Sequence, residues 1–444
     1  MAGLLAARVL SDFYREVLIV DRDELNGVAG YRRGVPHGRH AHGLVARGHL
    51  ILEQLFPRIT QEMTEAGVEP GDFNGDIRWY FNGQRLHPAH SGLISVPATR
   101  PVLEHHVRNR VQKIPNVRFL EGYDILDPAA TADGSRVTGV RVQRKDGGEP
   151  EVLEAGLVID VTGRGSRTPA WLDRLGYSRP AEDRVKIDLA YTTRHYRVPS
   201  DPFGDEIAII AAATPSHPRG AFYYRLPGPG NRVELSLTGV LGDHPPADPE
   251  GFLAYVRSLP VPDIYLSIRE SEPIDDPVTF KFPASVRRRY ERLTRFPQNF
   301  LVMGDAVCSF NPVYAQGMTV SAQQSLALRR HLERGLTPRP REFFAEISRV
   351  IDSPWEFAAI ADLGYPGVEG PRSAKVRMIN AYITRLQKAA VHDPSLTNAF
   401  MRVAGLIDEP TSLLRPGRVL RVLRQSNRPP SPSSPVVPLA AARD

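Results

Sequence analysis

Cysteine is nearly absent from this 444-residue chain, which contains Cys308 alone. A single cysteine excludes internal disulfide bonds and is typical of a reducing cytoplasm, where we expect the protein to reside. The chain also lacks an apolar run of about 18 residues and a charged-then-apolar leader. The sequence therefore predicts neither a transmembrane helix nor secretion, and its 41% hydrophobic and 24% charged residues are typical of a soluble globular protein.

Metal-site spacing and nucleic-acid patterning are missing as well. Four histidines fall close together without cysteines or paired carboxylates at zinc-type spacing, so we predict no metal site at His37, His40, His42 or His49. The net charge of +6 comes mostly from arginine, and no basic tract is interleaved with aromatic residues. We therefore expect no nucleic-acid partner. The excess charge fits either an anionic small partner such as a dinucleotide or an arginine-rich codon usage.

The most informative stretch runs from Leu301 to Leu332. Its apolar start, Leu301–Met303, predicts a buried strand, and Asp305 follows at the strand tip. Gly317 then opens an apolar-periodic helix, whose first N–H groups carry partial positive charge. A carboxylate that accepts hydrogen bonds from hydroxyls, beside a helix start that stabilises negative charge, suits the ribityl chain and the N1–C2=O edge of a flavin. The alternative is an ordinary strand–loop–helix turn with a capping aspartate.

Part of this stretch, GDAVCSFNPVYAQGM from Gly304 to Met318, resembles the second flavin motif of the FAD-dependent aromatic-hydroxylase and squalene-epoxidase superfamily. It is most similar to the flavin epoxidases of polyether-antibiotic biosynthesis, which share its SFNPVY-type loop. Further stretches agree with this resemblance, among them GVPHGRHAH, ATRP and VIDVTGRGSRTPAWL. Together they span residues 1–370.

The resemblance implies an α/β fold with a Rossmann-like FAD-binding domain of the GR2 type, an antiparallel β-sheet substrate domain and C-terminal helices. We assign the domains to 1–175 with 283–340 (FAD-binding), 176–282 (substrate), 341–425 (helical) and 426–444 (a disordered tail). Alternating apolar runs predict a small β-meander over Val117–Leu120, Val137–Gln143 and Val152–Leu153.

The amino-terminal segment resembles the end of a dinucleotide-binding unit. Ala2–Leu10 predicts a helix and Val17–Val20 a buried strand, and Asp21 is then placed to bind an adenosine ribose hydroxyl. Gly3 matches only the last glycine of the dinucleotide fingerprint, so the first Rossmann strand is missing. Either the assigned start lies too late and that strand precedes Met1, which we favour, or the protein has lost FAD binding.

The resemblance also implies contacts to FAD, residue by residue. The expected cofactor-binding residues are Gly3, Asp21, Arg22, Arg33, Arg100, Asp160, Gly163, Arg167, Gly304, Asp305, Pro312, Gly317 and Met318. Those from Asp160 to Arg167 are implied to lie near the pyrophosphate. The residues implied to line the active site are Arg39, His40 and His42. For the loop and helix-end residues among all of these, a plain surface role is the alternative.

The function implied by the resemblance is an FAD-dependent monooxygenase of a bulky apolar substrate. In this family NAD(P)H or a flavin reductase reduces FAD, O2 forms a C4a-hydroperoxyflavin, and one oxygen atom passes to the substrate in an epoxidation or a hydroxylation. No catalytic side chain is required. The alternatives are a flavin-dependent reductase or dehydrogenase of the geranylgeranyl-reductase type, and an inactive truncated flavoprotein. A halogenase is disfavoured because the tryptophans, Trp79, Trp171 and Trp355, leave no Trp-x-Trp signature.

Near the carboxyl end, Arg415, Arg418 and Arg421 recur beside leucines. This pattern fits either weak contact with an anionic membrane surface or, as we favour, the solvated face of a packed helix.

Overall fold

The computed structural model describes residues 1–96, 98–426 and 428, so the predicted disordered tail lies outside the described residues except at Ser426 and Arg428. The helices are α1 (Ala2–Leu10), α2 (Ala46–Leu55), α3 (Ile59–Glu65), α4 (Arg100–Gln112), α5 (Thr168–Arg174), α6 (Pro249–Arg257), α7 (Asp263–Ile268), α8 (Gly317–Leu332), α9 (Pro340–Asp362), α10 (Ala374–Ala390), α11 (Pro394–Ala404) and α12 (Pro416–Gln425). The strands are β1 (Val17–Asp21), β2 (Gly71–Asp72), β3 (Ile77–Phe81), β4 (Gln84–Arg85), β5 (Ile94–Ser95), β6 (Val117–Glu121), β7 (Tyr123–Ala130), β8 (Val137–Arg144), β9 (Glu151–Glu154), β10 (Val158–Asp160), β11 (Glu182–Arg197), β12 (Ala208–Ala212), β13 (Arg219–Arg225), β14 (Arg232–Gly239), β15 (Glu272–Pro273), β16 (Val278–Arg288), β17 (Phe300–Val302) and β18 (Cys308–Ser309).

Two short parallel ladders carry the predicted dinucleotide-binding elements. Strand β1 pairs with β6, and β10 pairs with β17. Within the described part of the chain, no strand pairs with the second edge of β1 or of β10. The start of helix α1 packs against the residues that follow β10 and β17, and glycines make this close approach possible. A Cβ atom at Gly3 would lie 3.1 Å from Val161 Cγ2, and one at Gly304 would lie 2.8 Å from Ala2 Cβ.

The predicted β-meander is wrong in one member. Strand β6, predicted as its first strand, belongs to the parallel ladder with β1, and the three-stranded antiparallel sheet consists of β7, β8 and β9. Apolar alternation identifies a strand but does not specify which strand it pairs with. The pattern does not indicate β7, because Asp124, Asp127 and Pro128 interrupt its apolar residues.

A nine-stranded sheet in the order β18-β16-β11-β14-β13-β12-β3-β4, with β15 on β11, forms the predicted substrate region. It is antiparallel except between β12 and β3. Strand β16 runs unbroken across the predicted domain boundary at residue 282, and its end pairs with β18 inside the flavin-like motif. Helices α6 and α7 cover one face, where Phe252 and Ile264 pack on Leu235 and Leu237. The opposite face contributes aromatic side chains to a cavity.

The C-terminal helices close this cavity. Leu386 of α10 and Phe400 of α11 share an apolar core with Phe73 and Ile77 from the amino-terminal half of the chain. Helix α12 packs through the buried Val422 and leaves Leu420 exposed. No helix in the described residues is long and apolar enough to cross a membrane.

Candidate functional site

One cavity of about 1900 Å³ extends from the two parallel ladders to the C-terminal helices. Its wall includes residues of strands β1 and β10, the loop from Phe310 to Gly317, and helix α10. The cavity therefore brings the predicted nucleotide-binding segments and the predicted substrate chamber into one continuous space.

Asp305 lies on the cavity wall where the chain leaves β17. The chain turns at Gly304, whose φ of +66° is one that glycine adopts without strain, and the next residue is Asp305. The Asp305 carboxylate has no hydrogen-bond or ion-pair partner among the described residues. Desolvation raises its pKa, against the opposing effect of Arg100, the amino terminus and Arg164. A half-buried carboxylate without a partner is an acceptor for ligand hydroxyl groups.

Helix α8 begins directly beside this carboxylate. A Cβ atom at Gly317 would lie 3.7 Å from Asp305 Oδ1. Gln316, which precedes the helix, is buried, yet neither Nε2 nor Oε1 of its side chain has a hydrogen-bond partner. The unpaired N–H groups of the first helical turn add further donors. This corner of the cavity thus combines a free carboxylate, a free amide and a helix start.

Charged side chains surround the end of β1, on the wall of the same cavity. The Arg32 guanidinium lies 3.2 Å from Asp23 Oδ2 and 3.6 Å from Asp21 Oδ2, and it also contacts Glu104. Arg100 Nε donates to Glu104 Oε2 at 3.0 Å. Burial opposes ionisation of Glu104, but the amino terminus, Arg100 and Arg32 hold its pKa well below the ordinary range. The sequence prediction missed Arg32 and Glu104, although the four-residue spacing of Arg100 and Glu104 on α4 was an available signal.

Asp160 organises the loop that follows β10. Its Oδ1 accepts hydrogen bonds from the backbone N–H of Thr162 at 2.8 Å and from Thr162 Oγ1 at 2.6 Å. Its Oδ2 accepts from Ser166 Oγ and Thr168 Oγ1, both at 2.5 Å. Both oxygens are thus engaged within the protein. The loop they hold presents Gly163, at φ +78°, and Arg167 to the cavity.

The structure brings most of the predicted site residues to this one cavity. Those on its wall are Gly3, Asp21, Arg22, His42, Arg100, Asp160, Gly163, Arg167, Asp305, Pro312, Gly317 and Met318. Those outside its lining are Arg33, Arg39, His40 and Gly304. Arg33 is exposed, Arg39 lies over the Tyr31 ring at 5.0 Å, and Gly304 contacts α1.

A row of polar side chains crosses the large sheet behind the histidine loop. Its cross-strand pairs, Thr193 opposite Ser236 and His195 opposite Glu234, lie on β11 and β14. The contacts along this polar row are His40 Nδ1–Thr193 Oγ1 at 2.8 Å, Thr193 Oγ1–Ser236 Oγ at 2.5 Å, Ser236 Oγ–Glu234 Oε1 at 3.1 Å, Glu234 Oε2–His195 Nε2 at 3.4 Å and His195 Nδ1–Asp275 Oδ2 at 2.6 Å. Burial, followed by Arg39, lowers the pKa of His40 to about 4, so this ring is neutral.

The remainder of the cavity is a largely aromatic chamber. Its lining includes Trp79, Phe81, Tyr191, Phe222, Tyr224, Phe280, Phe357, Ile379 and Ile383. Desolvation lowers the pKa of His42 well below its ordinary value, which leaves that histidine uncharged on the wall. A chamber of this composition can hold a bulky apolar molecule and exclude water from it.

A protein of known sequence matches nearly the whole chain. Protein Rv3254 of Mycobacterium tuberculosis is 32% identical over 421 residues, which cover 92% of this chain and 88% of the relative. The chain belongs to the Rv3254 family. No protein-family model matches it. Dihydrolipoamide dehydrogenase of Chaetomium thermophilum is 31% identical over 115 residues, which cover 24% of this chain and 22% of that relative.

Solved structures identify the fold of this Rv3254 family member. The flavin-dependent brominase Bmp2 matches with a TM-score of 0.67 at 12% identity, over 95% of each chain. A flavoprotein/dehydrogenase from Cytophaga hutchinsonii matches with a TM-score of 0.66 at 14% identity, over 96% of this chain and 95% of the other. The protein pqsL of Pseudomonas aeruginosa, described as a probable FAD-dependent monooxygenase, has a TM-score of 0.57 at 16% identity, over 90% of this chain and 95% of the other. The mixed α/β architecture is therefore the Rossmann-like fold of flavin-dependent monooxygenases and halogenases.

Proposed function

We propose that the protein is an FAD-dependent monooxygenase that inserts one oxygen atom from O2 into a bulky apolar substrate. The observation that carries the proposal is the unpartnered Asp305 carboxylate beside the start of α8, in the same cavity as Asp21 and Gly163. FAD needs polar groups at both ends, and this cavity offers them. The substrate reaction is an epoxidation or a hydroxylation, and NAD(P)H is the proposed reductant.

The residues present fit FAD. Asp305 has free acceptors for the ribityl hydroxyls, and Gln316 with the first N–H groups of α8 offers donors to the isoalloxazine edge. Asp21 at the end of β1 faces the cavity as an acceptor for the adenosine ribose. Arg167, on the glycine-containing loop after β10, has no ion-pair partner among the described residues and can pair with phosphate. With FAD held by these groups, its flavin end would lie next to the aromatic chamber.

When bound, FAD supplies the oxygen-activating redox chemistry, and the side chains bind, orient and keep the site dry. Tyr191, Phe222 and Phe280 form an apolar wall that excludes water from the reacting groups. Asp160 holds the loop after β10 through its four hydrogen bonds. Neutral His42 adds a polar but uncharged group to the wall. The chamber therefore favours oxygen transfer to a substrate without formal charge.

We further propose that an additional strand lies between β1 and β10. Each of these strands has one edge without a partner among the described strands, and both line the same cavity. Unpaired backbone N–H and C=O groups need partners, and a strand in this position completes the turn that binds a pyrophosphate. A chain extended upstream of Met1 by the adjoining codons is expected to bind FAD more tightly. Equal affinity with and without the extension would contradict this proposal.

Replacement of Asp305 by alanine tests the proposed function directly. Loss of a charge-assisted hydrogen bond typically costs about 1.5–3 kcal/mol, which is roughly 10- to 150-fold in FAD affinity. Asp305→Asn retains one acceptor oxygen, so its FAD affinity should lie between those of the unmodified protein and Asp305→Ala. Affinity is measured by flavin fluorescence titration, with the exposed Asp276→Asn as the control variant. Unchanged FAD affinity in Asp305→Ala would remove the main support for the proposal.

Isotope labelling distinguishes this function from its main alternative. A monooxygenase incorporates one atom from labelled dioxygen into an apolar alkene or phenol, whereas a reductase or dehydrogenase incorporates none. Mass spectrometry of products formed with NADH and with NADPH also identifies the reductant.

A further inference from the structure

Asp362, the last residue of α9, is buried in the wall of the aromatic chamber. Its Oδ1 accepts hydrogen bonds from Asn311 Nδ2 at 2.9 Å and from the Tyr314 hydroxyl at 2.8 Å. Its Oδ2 is also buried but has no hydrogen-bond partner. One oxygen of this carboxyl group is thus fixed by the protein, and the other has no hydrogen-bond partner within it.

The surroundings of Asp362 make an unpaired oxygen costly. Phe310, Phe357 and Tyr365 also line the cavity. A buried polar atom in such surroundings costs free energy until a partner is supplied, and a ligand can supply one. The carboxyl group is therefore a polar group that a ligand in the chamber could satisfy.

The protonation state of Asp362 decides which hydrogen bonds it can form. Burial raises its pKa to about 7, although the hydrogen bonds from Tyr314 and Asn311 oppose the rise. The nearby tyrosines are uncharged, because burial raises the pKa values of Tyr314, Tyr365 and Tyr191. The guanidinium of Arg372 packs on the same turn and donates to the carbonyl oxygens of Leu363 and Tyr365. Below about pH 7 the free oxygen therefore carries a proton and is a donor.

We propose that Asp362 is the polar anchor of the chamber and donates a hydrogen bond from Oδ2 to a carbonyl oxygen of a bulky apolar ligand. The inference rests on the proposed function only in taking the chamber as the substrate site. Through Oδ1 the anchor is tied to the loop that contains Asn311 and Tyr314 and leads to Gly317. A ligand bound at Oδ2 is thereby positioned relative to the segment proposed to bind the flavin. The substrate class is an apolar ketone, aldehyde or ester rather than a pure hydrocarbon.

Two matched probes test the anchor without any need for turnover. A long-chain alkyl phenyl ketone and the alkylbenzene of equal length differ only in the carbonyl oxygen. Their affinities are measured by quenching of tryptophan fluorescence, since Trp79 lies on the cavity wall. At pH 6 we expect the ketone to bind about three- to tenfold more tightly than the hydrocarbon, the range of one neutral hydrogen bond. This ratio should fall towards one above about pH 8, because a carboxylate cannot donate.

Two substitutions separate a hydrogen-bonding role from a structural one. Asp362→Asn keeps a donor at every pH, so the preference for the ketone should persist from pH 6 to pH 9. Asp362→Leu should abolish the preference while it leaves the affinity for the hydrocarbon unchanged or greater. Asp276→Asn should behave as the unmodified protein.

The anchor is overturned if the unmodified protein binds both probes equally at pH 6, or if Asp362→Asn shows the same pH dependence as the unmodified protein. Failure of both probes to bind overturns the anchor together with the assignment of the chamber. Loss of flavin binding alone would leave the ketone preference intact, so the two proposals fail in different experiments.

Discussion

The stability of the protein should depend on pH through Asp362. The pKa of this carboxyl group is raised from 3.8 to about 7 in the folded protein because burial disfavours its charged form. A raised pKa means that the folded state is favoured most below the unfolded value and loses stability as pH rises through the folded value. A shift of about three units corresponds to about 4 kcal/mol, since each unit is worth about 1.4 kcal/mol.

Replacement of Asp362 by asparagine removes the free-energy cost of burying the charged carboxylate. It keeps the shape of the side chain and both hydrogen-bond partners of Oδ1. The variant should therefore be more stable than the unmodified protein by about 4 kcal/mol at pH 8 and by about 1.5 kcal/mol at pH 5, with no difference near pH 3.5. Urea unfolding followed by circular dichroism at each pH measures the difference, with Asp276→Asn as the control. A stability difference that stays constant between pH 5 and pH 8 would refute the reasoning.

Two further predictions concern the sheet and the first helix. The pKa of His195 is raised to about 9 because hydrogen bonds to Asp275 and Glu234 outweigh its burial, so His195→Gln should cost about 3 kcal/mol below pH 6.5. That cost should shrink as pH rises through 9, which chemical unfolding at pH 6 and pH 10 would show; an equal cost at both pH values would contradict it. Gly304→Ala should destabilise the fold by at least 1 kcal/mol, about the cost of its positive φ alone, because its Cβ would also lie 2.8 Å from Ala2 Cβ. Ala2→Gly in the same chain should recover part of the loss in thermal unfolding, and no recovery would show that the contact is unimportant.

The part of the site that follows from sequence is the part built from local geometry. The site combines an apolar run, an acidic residue, a loop and a periodic helix that follow one another along the chain. Because they are local in sequence, Asp305 and Gly317 lie close together in the fold. The resemblance then predicts which distant segments join them, and Asp21 and Gly163 do lie on the same cavity wall. Helix positions such as Ala2–Leu10 also follow directly from the pattern.

The features that depend on pairing between distant segments were less predictable. Val117–Glu121 reads as a strand, but only the assembled fold shows that it pairs with β1 rather than with β8. Arg32 lies in the ion-pair network while its neighbour Arg33 is exposed, a distinction that depends on the conformation of one loop. The raised pKa of Asp362 could not be predicted from the sequence, because it depends on burial by residues far away along the chain.

The polar row also helps to specify the register in which β11 pairs with β14. Val233, Leu235 and Leu237 face the apolar core under α6, whereas Glu234 and Ser236 face the opposite side of the sheet. A slip by one residue would exchange the two sets and drive the Glu234 carboxylate into hydrocarbon, away from His195. A folding chain that misaligns these strands therefore buries an unpaired charge and is unstable. The register in which both polar pairs are matched is the stable one.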